Sequence, residues 1–345
     1  MAGSARMCAL VFDAPAPDTR ATRVAELSVP EPGPGQVSID VSHAGVNFKD
    51  VMARRGDVGY VSRWPFVPGL EVAGVVRALG PGVTNFAVGE RVVAFTGEGG
   101  LAQVAVAGAA LTTHVPAGLA LHRAAAAPGA LVSAEFLVTD LGRLRPGEVV
   151  VVHGAAGGVG QAVAGLARLA GAGRLIGTVG GPGRTAAAHE AGYETVLVRG
   201  PGLASAVREA TDGRGADLVL DPQGTTLLET DLQFAAPGAR IVLFGNASGT
   251  PLAPLPPLQA LMAANASIAG FSLAALAASA PARVATALAR VLNQLAVGDL
   301  DIELTAVGGL AAAAAAQQAL AEGRGRGKHI VHVSPLTSPG TAAAR

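Results

Sequence analysis

Apolar positions in this chain follow two regimes. Over residues 148–244, short aliphatic and β-branched runs alternate with stretches of helical spacing. The run 148–152, Glu-Val-Val-Val-Val, reads as a strand buried on both faces. Helical period follows from Gly158 to about Gly171, at Val159, Val163, Leu166, Ala167 and Leu169. Further strand-like runs come at 174–179, 195–198, 216–220 and 240–244, with segments able to form helix between them. This repetition predicts an α/β fold with a doubly wound parallel sheet, whose ligand belongs at the carboxyl ends of the strands.

From about Met7 to Pro128 the pattern is instead one of short β runs broken by turns. The Pro/Gly segment 30–35 precedes a strand at 36–41, and Pro68-Gly69, Gly80-Pro81-Gly82 and Val88-Gly89-Glu90 punctuate strands at 72–76 and 91–95. A compact β domain is therefore expected ahead of the parallel sheet. Beyond Phe244 come a Gly/Asn turn, a proline-rich segment at 251–257, helices at 281–297 and 310–322, and a last strand at 328–333 that returns to the first domain. The boundaries that follow are 1–128 for the N-terminal part of the β domain, 129–270 for the parallel sheet, 271–335 for the return, and 336–345 for a disordered tail.

Composition narrows the partners. Lys+Arg and Asp+Glu are both 25, so no basic surplus recommends nucleic acid or an anionic membrane. Aromatic residues are only 3%, which argues against base-stacking platforms. Hydrophobic residues reach 50%, but many are alanine, as at 309–316, which favours helix and buries little area. No apolar core of signal-peptide length occupies the first ten residues. The lone Cys8 excludes an internal disulfide and a thiolate zinc cluster. A soluble cytoplasmic protein acting on a small molecule is the expectation.

Chemistry concentrates at 153–160, His-Gly-Ala-Ala-Gly-Gly-Val-Gly, between the first parallel strand and its helix. In the G-x-G-x-x-G register it reads Ala155-x-Gly157-x-x-Gly160. Small residues let backbone approach a pyrophosphate, and the helix's free N–H groups and positive dipole end meet the charge. Ala156, Gly157, Gly158 and Val159 form this cradle, so the chain is expected to bind a dinucleotide. At the end of the second strand, where NAD enzymes carry an acidic residue, stands Val179. Nothing there repels a 2′-phosphate, and Arg184 can offer it a bidentate guanidinium unless it is a solvated surface charge. NADPH is the expected cofactor. His153, just inside a buried strand end, is expected to be a hydrogen-bonded structural residue.

Several segments together resemble the medium-chain dehydrogenase/reductase superfamily, in its zinc-independent, quinone-oxidoreductase-like branch. They are Gly45-Val46-Asn47-Phe48-Lys49-Asp50, Pro68-Gly69-Leu70-Glu71-Val72-Ala73-Gly74, Val88-Gly89-Glu90-Arg91-Val92, Arg145-Pro146-Gly147-Glu148, the 153–160 turn, Phe244-Gly245-Asn246-Ala247-Ser248-Gly249 and Gly327-Lys328. Enoylreductase domains of polyketide synthases share the Asn-Phe-x-Asp and Ala-Ala-Gly-Gly-Val-Gly segments. The resemblance implies a GroES-like β domain built from both ends of the chain, an inserted Rossmann domain, an active site in the cleft between them, and a homodimer.

The resemblance also suggests roles. Zinc-dependent members hold their metal through a cysteine where this chain has Asn47, and through the histidine of a Gly-His-Glu segment that here reads Gly69-Leu70-Glu71. No metal is therefore expected, and hydride transfer without a Lewis acid calls for an acceptor that delocalises charge: a quinone, an enone or an enoyl thioester. A cofactor-binding role without catalysis is a further alternative. Asn47 would orient the substrate carbonyl or a ribose hydroxyl, and Asp50 would be either catalytic or a helix N-terminal carboxylate. Tyr60 would donate a proton to the reduced product or line the pocket mouth. Ser133 would hold the nicotinamide end or cap a helix. Gly180 lies in the turn after the second strand, and Arg199 falls where relatives contact the 2′-phosphate. Phe244, Gly245 and Asn246 would pass beneath the nicotinamide. Lys328 would contact the cofactor or form a structural salt bridge.

Overall fold

The computed structural model describes residues 5–333. The tail expected to be disordered lies outside that range. Seven strands precede the parallel sheet: β1 (Arg6–Phe12), β2 (Thr22–Ser28), β3 (Gln36–Gly45), β4 (Glu71–Leu79), β5 (Arg91–Phe95), β6 (Val104–Gly108) and β7 (Thr112–His114). Six follow: β8 (Val149–His153), β9 (Arg174–Val179), β10 (Thr195–Val198), β11 (Ala216–Asp221), β12 (Ala235–Leu243) and β13 (Ser267–Gly270). The last two, β14 (Leu304–Val307) and β15 (Lys328–His332), rejoin the first domain.

Strands β8 to β13 form one parallel sheet in the order β10-β9-β8-β11-β12-β13. Strand order reverses beside β8, at the glycine turn, so the topological switch point and the cradle coincide. The seven-stranded sheet runs β14-β15-β3-β4-β5-β7, with β6 also pairing β3. Because β15 is antiparallel to β3, residues near 330 lie against residues near 45. The fold is thus a GroES-like β domain closed by the end of the chain, with a Rossmann-type sheet inserted.

Two strands run longer than their patterns suggest. β3 continues to Gly45 because Ala44 and Gly45 pair with Val331 and Ile330, although Ser42 and His43 interrupt the apolar alternation. β12 begins at Ala235 and carries Pro237-Gly238 within it. Its register against β11 shifts there, so a Pro-Gly pair that reads as a turn is accommodated as a bulge.

The two sheets share a core through the helical run Leu121–Leu141. It is apolar because it is buried, packing against the helices Gly158–Leu169 and Pro281–Val297. In the latter helix Val284, Leu288, Val291 and Leu295 form one buried stripe at helical spacing, each such side chain contributing about 1.5–3 kcal/mol on burial. The inter-domain run starts at Leu121, ahead of residue 129, and the chain re-enters the seven-stranded sheet only at Leu304. Within the run, Ala127–Leu131 and Leu137–Leu141 are wide π turns, a departure often found at functional positions.

Candidate active site

The glycine turn leaves β8 at His153 and enters the helix Gly158–Leu169 with Gly157 as its N-cap. A Cβ on Gly160 would lie 2.5 Å from the Gly154 carbonyl oxygen, so helix and strand meet this closely only with glycine there. The Tyr193 hydroxyl donates to the Gly160 carbonyl at 2.6 Å and fixes the bend from outside. The Gly157 N–H closes the turn on the Gly154 carbonyl at 3.0 Å, so the helix's free N–H groups begin at Gly158, at the carboxyl edge of the sheet. The first domain touches this turn directly: the Gly327 N–H donates to the Ala156 carbonyl at 3.1 Å. Val159 is half-buried against the shared core.

Two arginines converge at the end of β9. Arg199 follows β10, and a Cβ on Gly180 would lie 3.1 Å from its Nη2. Arg184 stands before the helix Thr185–Glu190 and donates to the Gly325 carbonyl. Burial, and for Arg184 the charge of Arg199 beside it, lowers the pKa of both from the usual arginine value. Neither forms an ion pair with a carboxylate among the described residues. Both guanidinium groups are half-buried, and the Asp221 carboxylate acts on Arg199 from nearby without pairing with it.

Below the cradle His153 is fully enclosed, its Nδ1 at 2.7 Å from Thr178 Oγ1 and its Nε2 at 2.9 Å from Asp231 Oδ1. Asp221, at the end of β11, is pushed up to about 6 by burial. The geometry gives His153 the structural role expected of it. Phe244, Gly245 and Asn246 leave β12 at the same edge, where the Phe244 N–H donates to Asp221 O at 2.9 Å and the Ala247 N–H to Pro222 O at 2.7 Å.

Across the cleft lies a buried polar knot. The fully buried Glu71, first residue of β4, forms an ion pair with Lys328, first residue of β15. The Asn47 Nδ2 donates to Glu71 Oε1 at 2.7 Å and the Gly129 N–H donates to Oε2 at 2.5 Å. Lys328 Nζ also donates to Asn47 Oδ1 at 2.6 Å and to the Val46 carbonyl at 3.1 Å. No side chain fits between these groups. A Cβ on Gly45 would lie 2.1 Å from Glu71 Oε1, and one on Gly129 2.9 Å from both carboxylate oxygens. The π turn Ala127–Leu131 is what delivers the Gly129 N–H to the carboxylate.

This arrangement bears on three residues singled out from sequence. The Lys328 ammonium is engaged by Glu71, Asn47 Oδ1 and the Val46 carbonyl, the structural salt bridge that was one of its two readings. Asp50 accepts from the Asn47 N–H at 2.8 Å and the Gly69 N–H at 3.1 Å. It therefore serves as the helix N-terminal carboxylate, pinning the Gly69 turn, and is a positioning residue. Burial pushes it up to about 6 against those two donors. Asn47 has its amide committed to Glu71, Gly45 and Lys328. Glu71 was missed by the sequence reading, although an acidic residue opening the apolar strand β4 is a signal that it must be paired.

The cleft rim holds Tyr60, half-buried against the first domain's core. Burial and the Asp57 carboxylate raise its pKa, opposed by Arg55. Arg55 pairs with Asp57 at 2.6 Å and reaches the Asn246 carbonyl of the opposite domain at 3.3 Å. Neither Arg55 nor Asp57 was singled out from sequence. Ser133 sits half-buried just beyond the π turn of the inter-domain run.

Comparisons with known proteins agree with this architecture. Residues 33–117 match the family described as alcohol dehydrogenase GroES-like domain, and residues 158–293 the family described as zinc-binding dehydrogenase. The pikromycin polyketide synthase component PikAII of Streptomyces venezuelae is 37% identical over 231 residues, 66% of this chain but only 6% of that synthase. A quinone oxidoreductase of Pseudomonas aeruginosa is 37% identical over 224 residues, 64% of this chain and 67% of that protein. The structure of mycobacterial Rv1454c complexed with NADPH superposes with a TM-score of 0.87 at 30% identity, covering 94% of this chain and 99% of that one.

The residues present do not fit the zinc that the second family's description implies. Where the metal would be held stand an amide, Asn47, a leucine, Leu70, and a carboxylate already paired with an ammonium. The donor set lacks both thiolate and imidazole.

Two outcomes test the knot. Lys328→Met strands a buried carboxylate and should cost about 3–5 kcal/mol of stability, read from urea midpoints. Adding Glu71→Gln should recover part of that loss, and strictly additive effects would show that the two residues do not interact. Asp50 has a folded pKa of about 6, above its ordinary 3.8. Its protonated form therefore favours the folded state at low pH, and this contribution is lost as pH rises from about 4 through about 6. Asp50→Asn should remove that slope, worth up to about 3 kcal/mol, in unfolding titrations across this window.

Proposed function

The chain belongs to the medium-chain dehydrogenase/reductase superfamily, in its quinone-oxidoreductase-like branch, and on that premise we propose that it reduces a quinone or another conjugated carbonyl acceptor with NADPH, without zinc. The observation that carries this reading is the Glu71–Lys328–Asn47 knot at the position where zinc-dependent members hold their metal. With the carboxylate committed to the ammonium and an amide and a leucine in place of thiolate and imidazole, this position lacks the donors that would hold a metal as Lewis acid for an alkoxide. The acceptor must then spread the developing charge over its own conjugated system.

NADPH binding has matching residues here. The cradle at Ala156, Gly157, Gly158 and Val159 would take the pyrophosphate, and the arginine pair, Arg184 and Arg199, the 2′-phosphate. Ser133 and the Phe244–Asn246 turn would flank the nicotinamide. When bound, the cofactor supplies the hydride. The knot holds the cleft wall rigid and dry, with Asn47 setting the direction of that wall. Tyr60, a phenol protonated at neutral pH, would donate its proton or a hydrogen bond to the reduced acceptor, although burial and Asp57 make it a weaker acid than a free phenol. A quinone product, once reduced, can take its protons from solvent.

Similarity to a polyketide synthase component supports a second reading, reduction of an enoyl thioester. An acceptor panel separates them: steady NADPH consumption with 9,10-phenanthrenequinone favours the quinone reading, and turnover of crotonyl thioesters alone favours the other. Nucleotide binding with neither turnover would point to a non-catalytic role. Arg184→Ala should raise the KM for NADPH about ten- to a hundredfold, the value of a charge-assisted phosphate contact, and leave that for NADH nearly unchanged. Equal effects on both would remove Arg184 from the 2′-phosphate.

We also propose that the chain is a homodimer. Among the described residues β13 pairs only with β12 and its other edge is unpaired, and Leu252, Leu255, Leu258 and Met262, in the segment that leads into β13, are exposed. Light scattering should give twice the 34.0 kDa chain mass. Leu258→Asp combined with Met262→Asp should shift it to the monomer, and a monomeric parent would refute the assignment.

A further inference from the structure

Tyr60 is placed by the end of a helix and the turn after it. The helix Phe48–Arg55 stops at Gly56, whose φ of 78° is left-handed, and a Cβ there would lie 2.9 Å from Pro15 Cβ. The reversal folds Asp57 back onto Arg55, which holds it with two guanidinium donors. Nε donates to Asp57 Oδ1 at 3.1 Å and Nη2 to Oδ2 at 2.6 Å. The Tyr60 N–H donates to the Asp57 carbonyl at 3.3 Å, so the same turn sets where the phenol stands.

The guanidinium also spans the cleft. Its Nη2 reaches the Asn246 carbonyl of the opposite domain, and its carbon lies 5.7 Å from the centre of the Phe48 ring. The far turn leaves room for it: Gly249 has a left-handed φ of 72°, and a Cβ there would lie 2.7 Å from Arg55 Nη1. The Arg55 and Asp57 side chains keep only 22% and 25% of their exposure, so solvent screens them less than an open surface pair. Among the described residues these are the two charges that act on the half-buried Tyr60 hydroxyl, Asp57 opposing its ionisation and Arg55 favouring it. The ring itself packs against the apolar core of the first domain.

We propose that Arg55 is a positioning residue for proton delivery: paired with Asp57 it fixes the place and the charge balance of the Tyr60 hydroxyl, and through Asn246 it ties both to the turn expected beneath the nicotinamide. The inference rests on Tyr60 as the proton donor of the proposed reduction. In that step the phenol O–H bond breaks, the anion that hydride addition leaves on the acceptor gains the proton, and water later reprotonates the tyrosinate. The tyrosinate is the charged state, so each neighbour acts on it with a fixed sign. Arg55 stabilises it and Asp57 destabilises it. Removing either partner leaves the phenol under the other's charge alone.

The chain suits a direct test because it has only two tyrosines. Tyr193 is fully buried, its hydroxyl is bound to the Gly160 carbonyl, and burial raises it far above the ordinary range. The first tyrosinate to appear in an alkaline ultraviolet titration is therefore that of Tyr60, and Tyr60→Phe should abolish it. Arg55→Met should move this titration up by about one unit, and Asp57→Asn should move it down by a similar amount. The double variant should return close to the parent, and Arg55→Lys, which keeps the charge, should stay there. Shifts of one sign in both single variants, no shift in either, or an equal rise in Arg55→Lys and Arg55→Met would overturn the role given to Arg55. The alkaline limit of turnover, with the acceptor that the panel identifies, should follow the titrations. Opposite titration shifts beside an unmoved turnover profile would instead refute Tyr60 as the donor, and with it the part of Arg55 in proton delivery.

Discussion

A buried ion pair between residues 257 positions apart organises this molecule. Glu71 and Lys328 each open an apolar strand of one sheet, and both are removed from water. Desolvating two charges costs several kcal/mol each, and their attraction offsets this only when the remaining hydrogen-bonding capacity is filled. Here Asn47, the Gly129 N–H and the Val46 carbonyl fill it. Those partners come from the segment just after β3 and from the inter-domain run, while Lys328 itself opens β15. Satisfying one carboxylate therefore fixes how three distant segments meet, and requires glycine at 45 and 129, where any Cβ would strike it.

The same arrangement divides the cleft electrostatically. On the first domain's side, charge is closed: the ammonium and the carboxylate neutralise each other within a network that uses every donor and acceptor of Asn47. On the Rossmann side it is open, because Arg184 and Arg199 stand together without a carboxylate partner, each at reduced basicity through burial. On the proposed reading, a ligand anionic at one end and reactive at the other would match this division, drawing affinity from the open corner and meeting already paired groups at the closed one.

Much of this was legible in the chain. The β8–turn–helix unit declared itself because a run of valines, a glycine cluster and a helical period abut, and each requires the next. Strands β9, β10 and β5 were readable to the residue for the same reason. β12 was not, because Pro237-Gly238 carries a turn signature whatever the neighbouring strand does with it, and only pairing with β11 reveals the bulge. Arg184 was singled out from its place beyond the end of β9, where no acid stands, whereas Arg199 rested on the family resemblance. The knot was not, because no local pattern links residue 71 to residue 328. The available clue was indirect: two opposite charges, each heading an otherwise apolar strand, must be buried and so must find partners.

How the two domains are joined follows from where their contacts fall. One seam lies at the cradle, where Gly327 bonds Ala156, Arg184 bonds Gly325, and Gln161 exchanges hydrogen bonds with Glu303. The other lies at the rim, where Arg55 reaches the Asn246 carbonyl. The cleft is bracketed between them, and the turns at 156–159 and 244–246 frame its Rossmann side. Four of these five bonds need the side chain of Arg184, Gln161 or Arg55, and the Gly327–Ala156 bond alone among them is backbone at both ends. The seams are therefore the more sequence-dependent part of the architecture, whereas the fold itself superposes on 94% of this chain at 30% identity in a relative.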